Sequence, residues 1–246
     1  MNISSNIYYL NRAKMPAFLD EIGRKTGSNA SSIYLPPGIS ENEIGSRTQA
    51  AGNALPEEML STAAQSQTGA AAFIGESYNC LVVPPFPLRE QVAFTGFETE
   101  PLRKLLETDY KIGLVLVHLG SYAVGYCEGD TLITSKVGTG LVHGRNRKGG
   151  SSSARFQRRR QNQSTEFINR VCAHVLEHLE PKAKELDYMV YGGPRQTVLM
   201  LKKRCPFLKS LEDRELPLLE VPQLRQIVLE KSIDRIWSSC IIEWME

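Results

Sequence analysis

The stretch HGRNRKGGSSSARFQRRRQNQSTEF, residues 143–167, decides how the rest of the chain is read. It opens as a basic Gly/Ser-rich loop. From Ser153 its composition turns helical. No Asp or Glu occurs between Thr131 and Thr165, while Lys136, Arg145, Arg147, Lys148, Arg155, Arg158, Arg159 and Arg160 all fall there. The whole chain, 246 residues with a formal net charge of +2, is close to neutral. A uniformly basic protein is therefore excluded, and any affinity for a polyanion must come from this one region.

Three physical points raise the stretch above an ordinary solvated loop. A helix N-terminus carries partial positive charge from its free N–H groups, so arginines in its first turns lack compensation unless an anion supplies it. Gly144, Gly149 and Gly150 allow close backbone approach to a ligand. The planar fork of Arg matches phosphate. Of the first helical turns only Phe156 is apolar, so the helix is expected to project beyond its sheet. These features point to nucleic acid, RNA above all. With a single aromatic among the arginines, the expected contacts are to backbone and shape, without base reading.

Working outward, the run before the loop reads as three strands. KIGLVLVHLG (111–120) is continuously apolar, as in a central strand. YAVGYCEG (122–129) and TLITSKVG (131–138) are joined by a Glu-Gly-Asp hairpin turn. After the loop, residues 153–180 carry the longest helical pattern, with Phe156, Phe167, Val171, Val175 and Leu179 on one face and Pro181 as a stop. LDYMVYGG (186–193) reads as a strand, RQTVLMLKKR (195–204) as a helix and LPLLEV (216–221) as extended. PQLRQIVLEKS (222–232) is a helix with Pro222 in its first turn. IDRIWSSCIIEW (233–244) suits a last strand or a helix, and a strand is preferred.

Upstream, residues 1–30 read as a helical lead-in and SSIYLPPG (31–38) as a short strand. Two short helices follow over 40–68, broken around Gly52 to Pro56. AAAFIGESYNCLVVPPFP (70–87) reads as two strands. PPFPLRE (84–90) resembles a linker, QVAFTGF (91–97) the first strand of a second unit, and EPLRKLLET (100–108) a helix. The expected organisation is a small α/β N-terminal unit over 1–90 and a mixed-sheet α/β domain over 91–246.

Five scattered cysteines without a CxxC pair (Cys80, Cys127, Cys172, Cys205, Cys240) suggest reduced core thiols. No apolar run approaches the ~20 residues of a membrane helix, and no signal-peptide core is seen, so a cytoplasmic location without membrane contact is expected. His174 and His178 share a helix face with Glu177 between them, but a third ligand is lacking, and no metal is expected. His118 reads as a core histidine. His143 sits at the loop entrance, within reach of a phosphate. The Gly192-Gly193-Pro194 turn reads as a plain strand-to-helix connection. No nucleophile-elbow signature occurs. Asp130, Asp187 and Asp213 are too dispersed for the carboxylate cluster of a metal nuclease.

KGGSSSARFQRRR (148–160) resembles the tip of the catalytic domain of eukaryotic and archaeal peptide-chain release factors. There a Gly-Gly-Gln tripeptide precedes a helix that begins with Arg-Phe and further arginines. Gly149, Gly150, Arg155 and Phe156 match that spacing. The flanking text is more similar to a bacterial branch of that superfamily, the Vms-like release factors (VLRF). The similar segments include the YLPPG near residue 36, VVPPFPL (82–88), HLGSYAVGYCEGD (118–130), SKVGTGLVHGRNRKGG (135–150), RRRQNQ (158–163) and YGGPRQTV (191–198). The resemblance implies a five-stranded mixed sheet with the loop at the end of a hairpin and the long helix behind it. It implies entry into the ribosomal A site and hydrolysis of peptidyl-tRNA, with ribosomal RNA and peptidyl-tRNA as partners and no cofactor.

The residue after the glycine pair departs from the pattern: it is Ser151, and SSSA (151–154) holds no Gln. The candidate catalytic set is therefore Gly149, Gly150, Ser151 and Gln157. The candidate RNA-binding set is Arg145, Arg147, Lys148, Arg155, Arg158, Arg159 and Arg160. A non-catalytic ribosome- or RNA-binding module that has lost hydrolysis with the Gln is the alternative.

Overall fold

The computed structural model describes residues 4–25, 29–142, 153–221 and 226–245. The chain forms two compact units, Met1–Thr108 together with Asp234–Glu246, and Asp109–Ile233. This division differs from the expected boundary at 90/91. Both the strand read as the start of the second unit and the last strand of the chain pair into the first sheet.

In the first unit, β1 (Ser4–Leu10) is followed by α1 (Met15–Arg24), β2 (Ser31–Leu35), α2 (Glu41–Ala50), α3 (Glu57–Gln65), β3 (Ala70–Ile74), β4 (Asn79–Val83), β5 (Val92–Thr95) and α4 (Glu100–Glu107). The last strand of the chain, Ser239–Met245, inserts between β1 and β4. The sheet has six strands, and every pairing in it is antiparallel. The expected helical lead-in over 1–30 is corrected here: Ser4–Leu10 is a strand, and the helix begins at Met15. The physical reason is non-local. Tyr8 and Tyr9 face Ile241 and Cys240, and a partner that far along the chain leaves no trace in local periodicity.

Both faces of this sheet are covered. Met15, Leu19 and Ile22 of α1 and Leu102 and Leu106 of α4 pack with Tyr34, Phe73, Val82 and Ile241. Ile44 of α2 and Met59 and Ala63 of α3 pack with Ile33, Ala72, Leu81 and Ile242 on the other. Burial on both faces explains why SSIYL and AAAFI are fully buried strands and do not alternate. Ser40 caps α2, its side chain accepting from Glu43 N–H.

In the second unit, β6 (Lys111–His118), β7 (Ser121–Glu128) and β8 (Thr131–Thr139) form an antiparallel meander. Then come α5 (Ser153–Leu179), β9 (Tyr188–Gly192), α6 (Arg195–Arg204), α7 (Pro206–Lys209) and α8 (Gln226–Ile236). The final strand, Ser239–Met245, is β10. The sheet order is β8-β7-β6-β9, with β9 parallel to β6. It is thus a mixed α/β unit. Beyond β9, Leu216 N–H and Leu219 N–H donate to Met189 and Tyr191 carbonyls, at 2.9 and 2.8 Å. Residues 215–219 therefore run alongside β9 as a rudimentary fifth strand, where extended chain was expected.

Val115, Val117, Tyr122, Val124 and Tyr126 of the meander pack against Phe167, Ile168, Val171, Val175 and Leu179 of α5. Met189, Tyr191, Val198 and Leu201 complete this core from β9 and α6. A disulfide joins Cys172 to Cys205, with Cα atoms 5.5 Å apart. This corrects the expectation that all five cysteines are free. The pair lies 33 residues apart in sequence, and only the packing of α6 on α5 brings them together. Cys80, Cys127 and Cys240 are free.

Candidate nucleic-acid interface

The site is built from a hairpin and a helix. Gly129, at φ 59°, turns β7 into β8. At the end of β8, Gly140 N–H bonds Gly120 carbonyl at 2.9 Å. A Cβ at Gly140 would come within 2.6 Å of the Phe167 ring, so only glycine lets the chain pass α5 this closely. Phe167 stands fourteen residues into α5 from Ser153, which places Ser153 about 21 Å further along the helix axis.

The burial of α5 falls into two parts. From Ser164 onward, Ser164, Phe167, Ile168, Val171, Cys172, Val175 and Leu179 are buried. From residue 154 to 159 every side chain is exposed, and Phe156 keeps 48% of its surface. The expected projection of the helix beyond its sheet is seen. The exposed start carries no acidic residue in its first turn; the first acid of the helix is Glu166. The charge that would be favourable at this end is therefore negative.

Helical spacing sorts the candidate residues. Arg155, Arg158 and Arg159 stand at i, i+3 and i+4 and share one face. Gln157, Gln161, Ser164, Ile168, Val171 and Val175 form the opposite stripe, the same stripe that enters the core further along. Arg160 lies on that side too and is less exposed. The structure thus groups three of the candidate arginines and separates Gln157 from them. His143, Arg145, Arg147, Lys148, Gly149, Gly150 and Ser151 lie outside the described residues.

Further cations lie along the later part of α5. Arg170 reaches Thr139 carbonyl at 3.5 Å, and Arg204, at the end of α6, reaches Thr165 Oγ1 at 3.5 Å. Lys203 precedes it in the same basic last turn. Nothing in the sequence ties residue 204 to residue 165; helix packing does. His174, by contrast, stacks on Tyr122 with ring centroids 5.4 Å apart, and its Nδ1 lies 3.0 Å from Glu177. That bond holds the Glu177 carboxyl below the usual range. Among the described residues no group of three or more candidate metal ligands occurs. His118 Nε2 lies 3.0 Å from Val221 carbonyl, the structural role its sequence suggested.

The second unit thus carries a long helix with an exposed, arginine-lined start on a mixed sheet. A family model described as Actinobacteria/Chloroflexi VLRF1 release factor matches residues 110–241, and the chain belongs to that family. Peptide chain release factor subunit 1 of Thermococcus onnurineus is 31% identical over 120 residues, 47% of this chain and 29% of that protein. The protein of the same name from Thermococcus sibiricus is 30% identical over 144 residues, covering 53% of this chain and 35% of the relative. The chain therefore spans about a third of the length of these curated relatives. Among solved structures, archaeal translation termination factor aRF1 aligns with a TM-score of 0.40 at 17% identity, over 92% of this chain and 73% of that one. Saccharomyces cerevisiae Dom34 aligns with a TM-score of 0.33 at 8% identity, over 94% of this chain and 66% of that one. No helix among the described residues is long and apolar enough to cross a membrane.

Proposed function

We propose that this chain enters the ribosomal A site and hydrolyses the ester between a nascent peptide and its tRNA. The observation that carries the reading is the exposed, acid-free start of α5 with Arg155, Arg158 and Arg159 on one face, directly after Gly149, Gly150 and Ser151 in sequence. The arginines contact ribosomal RNA phosphates and set the depth of entry, together with Arg145, Arg147, Lys148 and Arg160. Water attacks the ester carbonyl, the bond to the tRNA 3′ oxygen breaks, and a free peptide carboxyl and tRNA hydroxyl result. Gly149 and Gly150 permit close approach to the ester. The backbone N–H of Ser151 donates to the developing oxyanion. Seryl hydroxyls of Ser151 to Ser153 hold the water. Gln157 is the nearest glutamine in sequence and the candidate to assist them.

A second reading is favoured by one specific feature: Ser151 stands where release factors carry Gln, so no carboxamide follows the glycine pair. On that reading the chain occupies the A site without chemistry. Purified protein added to stalled ribosome–nascent-chain complexes separates the two. Hydrolysis predicts that wild type frees the peptide from tRNA, that Gly149→Ala/Gly150→Ala abolishes release while binding persists, and that Gln157→Ala slows it. Binding without release by wild type, unchanged by the glycine substitutions, rejects the enzymatic reading.

A further inference from the structure

The end of α6 carries three cations in its last turn, Lys202, Lys203 and Arg204. Positive charge there offsets the helix dipole, and Lys202 is further engaged by Glu215 and by the Tyr191 ring. Arg204 is placed differently. It is exposed and meets no carboxylate among the described residues. Its Nη2 donates across to Thr165 Oγ1 of α5 at 3.5 Å. One contact of this kind leaves most of the five donors of a guanidinium unused.

Helical spacing fixes the side of α5 on which Arg204 arrives. Arg158, Thr165 and Cys172 stand at intervals of seven residues. Seven residues make nearly two turns, so the three lie along one side of the helix. Each step drifts by about 20° and advances about 10.5 Å along the axis. The line runs from solvent into the core: Arg158 is exposed, Thr165 is half-buried and Cys172 is buried. At the buried end Cys172 is bonded to Cys205, the residue after Arg204. The bridge ties the end of α6 to α5 and holds the Arg204 backbone with it. The Arg204 guanidinium therefore sits one step of the line from Arg158. Glu166, the first acid of α5, lies about 100° round the helix from Thr165.

We propose that Arg204 is a further phosphate contact beside Arg158, on the same RNA that the start of α5 meets. The inference rests on the ribosomal RNA reading of Arg155, Arg158 and Arg159. Two helices then grip the RNA backbone at points about 10 Å apart, a span that more than one phosphate of a strand fills. The planar fork of Arg204 suits that partner.

The test is binding of the labelled full chain to purified ribosomes at several salt concentrations. One phosphate contact contributes about 0.7 to 0.9 to the slope of log affinity against log salt, or about 3-fold in affinity between about 50 and about 200 mM. Arg204→Gln should lose that increment, and Arg204→Lys, which keeps the charge, should retain it. Lys184→Gln removes an exposed cation beyond the other end of α5 and should leave the slope at the wild-type value. An unchanged slope in Arg204→Gln, with or without weaker binding, overturns the proposal, and so does an equal loss in Lys184→Gln. In either case the reading of the α5 arginines stands if their joint replacement by Gln still lowers the slope. Wild-type binding without salt dependence overturns both.

Discussion

Replacing Arg155, Arg158 and Arg159 together by Gln tests whether the bare start of α5 grips phosphate. All three side chains are exposed and on one face of the helix. Gln has nearly the helix propensity of Arg, so the local fold should hold. Each phosphate neutralised contributes about 0.7 to 0.9 to the slope of log affinity against log salt. Three contacts therefore contribute a slope of about 2.1 to 2.7. Between about 50 and about 200 mM salt, wild type should lose roughly 20- to 40-fold in affinity that the variant does not share. The assay is sedimentation or anisotropy of labelled protein with purified ribosomes at several salt concentrations. Removing three positive charges from a helix N-terminus relieves repulsion with the helix dipole, so the melting temperature should stay level or rise. Loss of binding by unfolding would lower it. Parallel salt slopes for wild type and variant would refute the reasoning.

Three further outcomes follow from the packing. Gly193 has φ +112°, and a Cβ there would lie 2.2 Å from Val117 carbonyl oxygen; Gly193→Ala should cost about 3 kcal/mol in urea denaturation. The Cys172–Cys205 disulfide leaves Cys80, Cys127 and Cys240 free, so denatured protein should titrate three thiols before reduction and five after it; five without reductant would contradict the bridge. Burial pushes the Cys80 and Cys127 thiols up from 9.0 to about 12. The folded chain then keeps protons that the unfolded chain loses, so this stability is full below the unfolded value near 9 and is lost as pH rises toward 12. Each thiol steepens that fall by up to about 1.4 kcal/mol per pH unit, and Cys127→Val should flatten it in denaturation curves at pH 8 to 11.

The legible parts of this chain are those whose cause is local. The meander β6–β8, the long helix α5 and the hairpin turn at Gly129 each carry their own periodicity or turn chemistry, and the structure places them where the spacing does. The misread parts depend on distant partners. β1 is a strand because β10 closes on it. β5 joins the first sheet because β2 offers an edge. The disulfide forms because α6 lies on α5. The same rule holds at the site. Arg155, Arg158 and Arg159 are legible as a charge run, whereas the approach of Arg204 to Thr165 depends on helix packing.

The division within α5 bears on how contact and chemistry are related. The residues that hold the helix to its sheet begin at Ser164, and those that face outward end at Arg159. Substitutions in the outward part therefore carry little folding cost, and the arginine face can be kept or lost independently of the core. The candidate chemistry lies on other residues again, at Gly149, Gly150 and Ser151. Contact energy and transition-state stabilisation are thus assigned to separate residues. If so, replacing the release-factor Gln by Ser151 lowers the rate of release without lowering ribosome affinity. Ser151→Gln should then raise single-turnover release from stalled complexes while the salt slope stays unchanged. A change in both would mean that residue 151 itself also carries binding energy.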